Sequence, residues 1–247
     1  MSDTRVETTS PGHAVEVRGL VKAYGRTRVL DGLDLTLGWN EVVALLGPNG
    51  SGKTTLIKTL ATLTKPDAGQ VRVCGRNPER DGPGLRRLVG VVTHDPMLYG
   101  EMTGEENLRF HARLFGVEGV EQRVGEVAEM VGMTARLHQK AATLSHGMQK
   151  RISIARALLH DPPVLLLDEP ESGLDQEALA VMEALVRERA GPRRAVLMAT
   201  HNLERALRMA GRMVVLARGR VAYEAGMDAG NEESVREAYF RHTGART

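Results

Sequence analysis

The stretch Gly47-Pro48-Asn49-Gly50-Ser51-Gly52-Lys53-Thr54-Thr55 decides how the rest of the chain is read. It satisfies the pattern G-x-x-x-x-G-K-[ST] in full. Val42-Val43-Ala44-Leu45-Leu46 precedes it, an apolar run of strand length that opens on two β-branched residues. Thr55-Leu56-Ile57-Lys58-Thr59-Leu60-Ala61 follows and reads as a helix. Strand, glycine loop and helix, in that order, are the setting the pattern needs. Gly47, Gly50 and Gly52 let the backbone turn its N–H groups inward and form an anion nest. The helix N-terminus adds a partial positive charge. Lys53 can then reach β- and γ-phosphates, and the Thr54 hydroxyl can ligate Mg²⁺. Pro48, Asn49, Ser51 and Thr55 complete the cradle. A glycine-rich turn with a chance lysine is the bland alternative, and the flanking strand and helix weigh against it.

Working outward, the bulk properties set bounds. At 247 residues the chain suits one large domain or two small ones, and 42% hydrophobic residues support a substantial core. A net charge of +2 makes no electrostatic case for a nucleic-acid partner. The single cysteine, Cys74, rules out an internal disulfide framework and fits a reducing cytoplasm. No Cys/His cluster has zinc spacing. No apolar run approaches the roughly 20 residues that cross a bilayer, so work at a membrane would need a second chain. Residues 1–12 are polar and lack an apolar stretch; they read as a disordered tail and not as a signal peptide.

Residues 15–17 and 29–37 alternate apolar and polar, as strands do. Tyr24 lies between them. In a chain with one Trp, four Tyr and three Phe it is either a platform for a stacked adenine or an ordinary half-exposed tyrosine. Residues 70–74 and 89–92 read as strands, and 77–84 as a polar loop. Helical spacing begins near Thr103, where Thr103 and Glu106 form a capping-box pattern. Gly116 and Gly119 break that run, a second helix is expected over 124–131, and a third after Thr134. Residues 148–160 form an amphipathic helix. Strands at 164–168, 195–199 and 213–217 alternate with helices at 176–189 and 203–210, which means a parallel sheet with crossover helices. Residues 231–241 suit one more helix.

Asp168 and Glu169 end an apolar strand, on the edge of a parallel sheet where ligands sit. Asp168 is placed to hold Mg²⁺, directly or through water. Glu169 is placed to polarise an attacking water and to leave the strand axis as the strand ends. A solvated acidic pair is the alternative. His201 follows the 195–199 strand and is within reach of a γ-phosphate, although a lone histidine also serves packing. His94 likewise follows the 89–92 strand.

Taken in order, the phosphate loop, Leu144-Ser145-His146-Gly147-Met148-Gln149, Leu167-Asp168-Glu169-Pro170, Ser172-Gly173-Leu174-Asp175 and Thr200-His201 resemble the ATP-binding subunit of an ABC transporter. The resemblance spans about residues 14–223. It implies an α/β P-loop NTPase of the ABC-cassette type: a parallel core sheet, a small antiparallel β subdomain and an inserted helical subdomain. The corresponding divisions are 13–93 with 144–225 for the nucleotide-binding core, 94–143 for the helical subdomain and 226–247 for a helical tail. It also implies ATP and Mg²⁺ as cofactors, Tyr24 as the adenine-stacking aromatic and His201 as the switch histidine. Ser145, His146 and Gly147 stand in the signature that closes over the nucleotide of a second subunit, head to tail. Asp175 lies in the loop that links the two sites. The implied partners are a second ATPase subunit, as a homodimer, and an integral membrane permease, with no nucleic acid. The implied place is cytoplasmic, peripheral on the inner face of the cell membrane.

A narrower likeness rests on Thr93-His94-Asp95, Met97-Leu98-Tyr99, Met102-Thr103-Gly104, Glu106-Asn107-Leu108-Arg109-Phe110, Gly147-Met148 and Ala157-Leu158-Leu159-His160-Asp161-Pro162. These stretches resemble the haem-exporter ATPase of cytochrome c maturation. That likeness sets His94 where other cassettes have a glutamine contacting Mg²⁺. Drug-exporter ATPases share the Gly-Met form of the signature and are the alternative; they commonly carry a longer C-terminal extension, which this sequence lacks. A soluble ABC-type switch acting on DNA or ribosomes is the alternative from another class. Two positions depart from the family pattern. His146 replaces the first signature glycine, and Asn40 stands before Glu41 where glycine is usual. Asparagine is the next best residue for positive φ, so the turn at Asn40 is expected to survive.

Overall fold

The computed structural model describes residues 12–189, 191–227 and 231–243. Nearly all of the expected 1–12 tail lies outside the described residues. In chain order the elements are β1 (Val15–Tyr24), β2 (Thr27–Leu37), β3 (Glu41–Leu46), α1 (Lys53–Leu60), β4 (Ala68–Val73), α2 (Pro78–Arg86) and β5 (Val89–Val92). Then come α3 (Gly104–Phe115), α4 (Val120–Met130), α5 (His146–Leu158), β6 (Val164–Asp168), α6 (Gln176–Glu188), β7 (Ala195–Ala199), α7 (Leu203–Met209), β8 (Arg212–Ala217), β9 (Arg220–Gly226) and α8 (Glu232–Thr243).

Two sheets organise the molecule. One is three-stranded and antiparallel, in the order β2-β1-β4. The other has six strands in the order β5-β6-β7-β3-β8-β9 and is parallel up to β8, with β9 antiparallel at its edge. β3, β6 and β7 are almost wholly apolar because both faces of the sheet are covered. Alternate residues divide between two cores. Val43, Leu45, Leu166, Leu197 and Val214 pack with α1 and the antiparallel sheet. Ala44, Leu46, Leu165, Leu167, Val196 and Met198 pack with the helices from α3 to α7.

Several expectations are corrected. The 77–84 stretch is not a loop: Asn77 caps α2 by accepting from the Glu79 N–H at 2.8 Å, with Pro78 at the first helical position. A kink at Asp81 with Pro83 inside keeps that helix irregular. No full helix follows Thr134; Thr134–Arg136 and Ala141–Thr143 are single 3₁₀ turns. Strand β9, absent from the sequence reading, pairs with β8 across Arg218 (φ 51°) and Gly219 (φ 75°), the two positive φ values of a tight hairpin turn. Tyr24, expected between two strands, is the last residue of β1. Other expectations hold. Thr103 and Glu106 make the capping box, Gly116 closes α3, Gly119 opens α4, and Asn40 adopts φ 61°.

Candidate active site

Strand order builds the site. β6, β7 and β3 are neighbours, and Ala199 is in register with both Asp168 and Leu45. The carboxyl ends of all three strands therefore finish level. The phosphate loop leaves β3, Asp168 and Glu169 leave β6, and Thr200-His201 leave β7, all on one edge.

The loop needs glycine where the backbone has no room. A Cβ on Gly47 would lie 2.3 Å from the Leu216 carbonyl oxygen. Gly52, at φ 110°, is the N-cap of α1 and offers no side-chain cap, so the first-turn N–H groups remain available to an anion. The buried Lys53 ammonium folds back onto the loop, donating to the carbonyls of Gly47 at 2.8 Å and Pro48 at 3.1 Å. Burial pushes its pKa down, while Glu169 and Asp168 favour its charge. The Ser51 hydroxyl is buried without a partner among the described residues, and Thr54 is exposed.

Asp168 is 1% exposed, and neither carboxylate oxygen has a hydrogen-bond donor among the described residues. Burial pushes its pKa up; the nearby Thr54 hydroxyl, Lys150 and Lys53 favour the charged form without satisfying it. A buried carboxylate whose oxygens are unsatisfied among the described residues, next to the Thr54 hydroxyl, offers hard oxygens of the kind that Mg²⁺ takes. The residues present fit that ion. Glu169 departs from the strand at φ 47°, as its N–H donates to the Ala199 carbonyl at 2.9 Å. Its carboxylate lies 3.1 Å from His201 Nδ1, a contact that sequence reasoning did not foresee. The turn carrying His201 is held from behind: Tyr239 of α8 donates its hydroxyl to the His201 carbonyl at 3.1 Å.

A second group of expected residues gathers at the start of α5. Ser145 caps that helix by accepting from the Met148 N–H at 3.3 Å, and both Ser145 and His146 are exposed. The His146 ring packs over Gly173, where a Cβ would meet it at 2.4 Å; a Cβ on Gly147 would lie 2.6 Å from the Gly173 carbonyl oxygen. Asp175 caps α6 and receives Arg151 at 2.8 and 3.0 Å, which joins this loop to α5. The hydrogen bond from the Ala178 N–H, then Arg151, hold its carboxyl below the usual range.

His94 and Tyr24 stand apart. His94 is exposed and its ring lies 6.2 Å from that of His146. Among the described residues no three or more His, Cys, Asp or Glu side chains gather as a metal cage. Tyr24 is 51% exposed, with the Lys22 ammonium 5.5 Å from its ring centre. It pairs with Thr27, two residues before Val29, whose carbonyl faces Gly52.

Known proteins match this arrangement. Residues 30–172 match the family model described as ABC transporter. The Nod factor export ATP-binding protein I of Paraburkholderia xenovorans is 36% identical over 212 residues, covering 85% of this chain and 70% of that protein. The daunorubicin resistance ATP-binding protein DrrA3 of Streptomyces coeruleorubidus is 37% identical over 217 residues, covering 87% of this chain and 69% of that protein. A solved dimeric structure of the ATP-binding cassette MJ0796, in a post-hydrolysis state with ADP and Pi, superposes with a TM-score of 0.80 at 27% identity, covering 87% of this chain and 99% of that one. The chain belongs to the ABC transporter family and is one of its ATP-binding, ATP-hydrolysing subunits.

Proposed function

We propose that this ATPase works as a head-to-tail homodimer that powers export through a separate membrane permease. The 3.1 Å contact between Glu169 and His201, at the strand edge from which the phosphate loop also emerges, carries the reading. Gly47 to Thr55 cradle the phosphates, Lys53 and the α1 N-terminus take their charge, and Tyr24 stacks on the adenine. Thr54 and Asp168 hold Mg²⁺, which when bound neutralises charge on the β- and γ-phosphates. Glu169 accepts a proton from the attacking water. The water oxygen bonds to the γ-phosphorus as the bond to the bridging oxygen breaks, and ADP leaves with that electron pair. His201 orients the Glu169 carboxylate and donates toward the γ-phosphate. The exposed Ser145 and His146, with the half-buried Gly147, face the nucleotide of the second subunit, and Asp175 links the two sites. His94 belongs to the turn between this chemistry and the helical subdomain of residues 94–143.

No described helix is long and apolar enough to cross a membrane. Tyr99, Phe110 and Leu114 are 53, 41 and 64% exposed, an apolar surface on the helical subdomain suited to a permease. This is the support for a place at the inner face of the membrane. The relatives named above are by name a Nod factor export protein and a daunorubicin resistance protein, which favours the drug-exporter alternative over the haem-exporter one. Glu169→Gln keeps the shape and cannot accept the proton. It should lower turnover by about 10²–10⁴-fold and accumulate an ATP-bound dimer on size-exclusion chromatography. Monomer alone, with hydrolysis intact, would reject both the base and the dimer. Co-purification of the full chain with a multi-span membrane protein tests the permease; a soluble ABC-type switch would bring none.

A further inference from the structure

Behind the carboxylates lies a lysine that the chemistry above does not use. Lys150 sits one turn into α5, just past the Ser145–Gly147 stretch, and is 0% exposed. Its ammonium makes one hydrogen bond among the described residues, to the Thr93 carbonyl at 3.0 Å, 57 positions away. Thr93 directly follows β5, and its hydroxyl donates to the Asp95 carbonyl at 2.6 Å. The turn carrying His94 is therefore gripped from inside. Farther along α5, Arg156 donates to the carbonyls of Met97 and Val91, both at 3.0 Å, and grips the same segment from its other side.

Lys150 differs from Arg156 in the charges it faces. Burial pushes the pKa of both groups down; acting against it are Asp168, Glu171 and Glu169 at Lys150, and Asp95 at Arg156. Glu171 is itself buried; one oxygen accepts the Thr200 hydroxyl and the other has no donor among the described residues. Three carboxylates thus crowd one strand end, and Lys53 is committed to the phosphate loop. A buried ammonium with a single hydrogen bond is expensive, and a methionine of similar length would fill the space without that penalty. Packing gives no reason for a charge there. The carboxylates do.

We infer that Lys150 is a positioning residue, which holds the Thr93 carbonyl and supplies the internal counter-charge of Asp168 and Glu171, so that the head of α5, the His94 turn and the end of β6 keep one arrangement. The inference rests on the proposed roles of Asp168 and Glu169. It touches neither nucleotide nor water. Its consequence is that whatever engages Ser145–Gly147 at the head of α5 is felt one turn later at the carboxylates.

Full-length Lys150→Met and Lys150→Gln test this, the second keeping a neutral donor on a shorter stem. Four quantities are measured: thermal midpoint, affinity for a fluorescent ATP analogue, kcat with KM, and amide hydrogen exchange over residues 94–99. The expected Lys150→Met result is an affinity within about threefold of wild type, a kcat lower by at least about tenfold, and faster exchange over 94–99. Lys150→Gln should slow that exchange relative to Lys150→Met while kcat stays low, because the charge is missing in both. A folded Lys150→Met with wild-type kcat overturns the inference. So does unfolding of both variants, or a loss of affinity as large as the loss of kcat, since a residue that only packs gives those results. A wild-type protein without ATPase activity would instead fault the proposed function, and the exchange comparison would still read the grip on Thr93.

Discussion

Lys53 does two things at one position. Its ammonium is the charge available to β- and γ-phosphates, and it bonds back to the carbonyls of Gly47 and Pro48, fixing the loop that surrounds it. Lys53→Ala removes both at once, and the carbonyls it leaves behind face an incoming anion unmasked. Turnover should fall below detection and affinity for a fluorescent ATP analogue by at least about tenfold, while the thermal midpoint moves little because the apolar floor of α1 is untouched. A Lys53→Ala protein that still hydrolyses ATP at near the wild-type rate would remove the phosphate-loop assignment. Glu169 shows the complementary point. Its left-handed φ of 47° is unfavourable for a residue with a Cβ, and it is what turns the carboxylate toward His201. Neither that φ nor the pairing is written in a local motif. Asp168-Glu169 was readable as an acidic strand end because an apolar run stops there. The partner of Glu169 depended on β7 lying beside β6.

At the scale of elements, the site-forming strands were legible and the edges were not. β3, β6 and β7 are buried on both faces, so their composition alone marks them. β9 alternates exposed and half-buried residues at the rim of the sheet, and nothing apolar announces it. In α2 the start signal of Asn77-Pro78 was masked by Gly82, Pro83 and Gly84, which read as turn chemistry. Lys150 was hidden for a similar reason: a lysine on an amphipathic helix is expected on the wet face. The seam between the helical subdomain and β5 offers a test of element packing. His160, just past α5, stacks on Phe115 of α3 at 4.0 Å and bonds through Nε2 to the Val89 carbonyl at 3.2 Å. A carbonyl only accepts, so Nε2 carries the proton of a neutral ring. Burial holds His160 at about 4, against the opposing influence of the Val89 carbonyl and Asp161 and with Arg123 and Arg189 acting alongside; burial and Arg156 hold His111 at about 4 as well. Free histidine titrates near 6.5, so between about 6.5 and about 4 the unfolded chain binds more protons than the folded one. Stability should therefore be full above that window, fall as pH falls through it, and level off below. His160→Phe keeps the stack and removes one of these groups. The drop in thermal midpoint between pH 7.5 and 5 should shrink by about 2–4 °C relative to wild type, as suits a change of roughly 1 kcal/mol in a chain of this size. An equal drop in both proteins would show that His160 is already protonated in the folded chain.

At the scale of the whole molecule, the question is whether the head of α5 serves its own phosphate loop or that of a second copy. Within one chain, Ser145 and His146 are exposed, the His146 ring packs over Gly173, and neither Ser145 nor His146 bonds to residues 47–55 among the described contacts. A helix N-terminus with an exposed serine cap is well made for phosphate oxygens, yet here it has none of its own loop to meet. Two lesions separate the possibilities. Lys53→Ala disables the loop and leaves α5 intact; Ser145→Arg puts a bulky cation at the head of α5 and leaves the loop intact. Each protein alone should be inactive, and Ser145→Arg should still bind the fluorescent ATP analogue within about threefold of wild type. Mixed in equal amounts with free exchange of subunits, half of the dimers carry one lesion of each kind. In a head-to-tail pair, such a dimer pairs the intact loop of one subunit with the intact α5 of the other, so one of its two sites is whole. If the two sites act independently, the mixture should regain about a quarter of wild-type turnover, by the same free-energy bookkeeping that treats separate sites as additive. If α5 served the loop of its own chain, every site in the mixture would keep a lesion and turnover would not rise above that of the separate proteins. The rate of the mixture, set against the sum of its two components, decides whether the ATPase is complete in one chain or only in two.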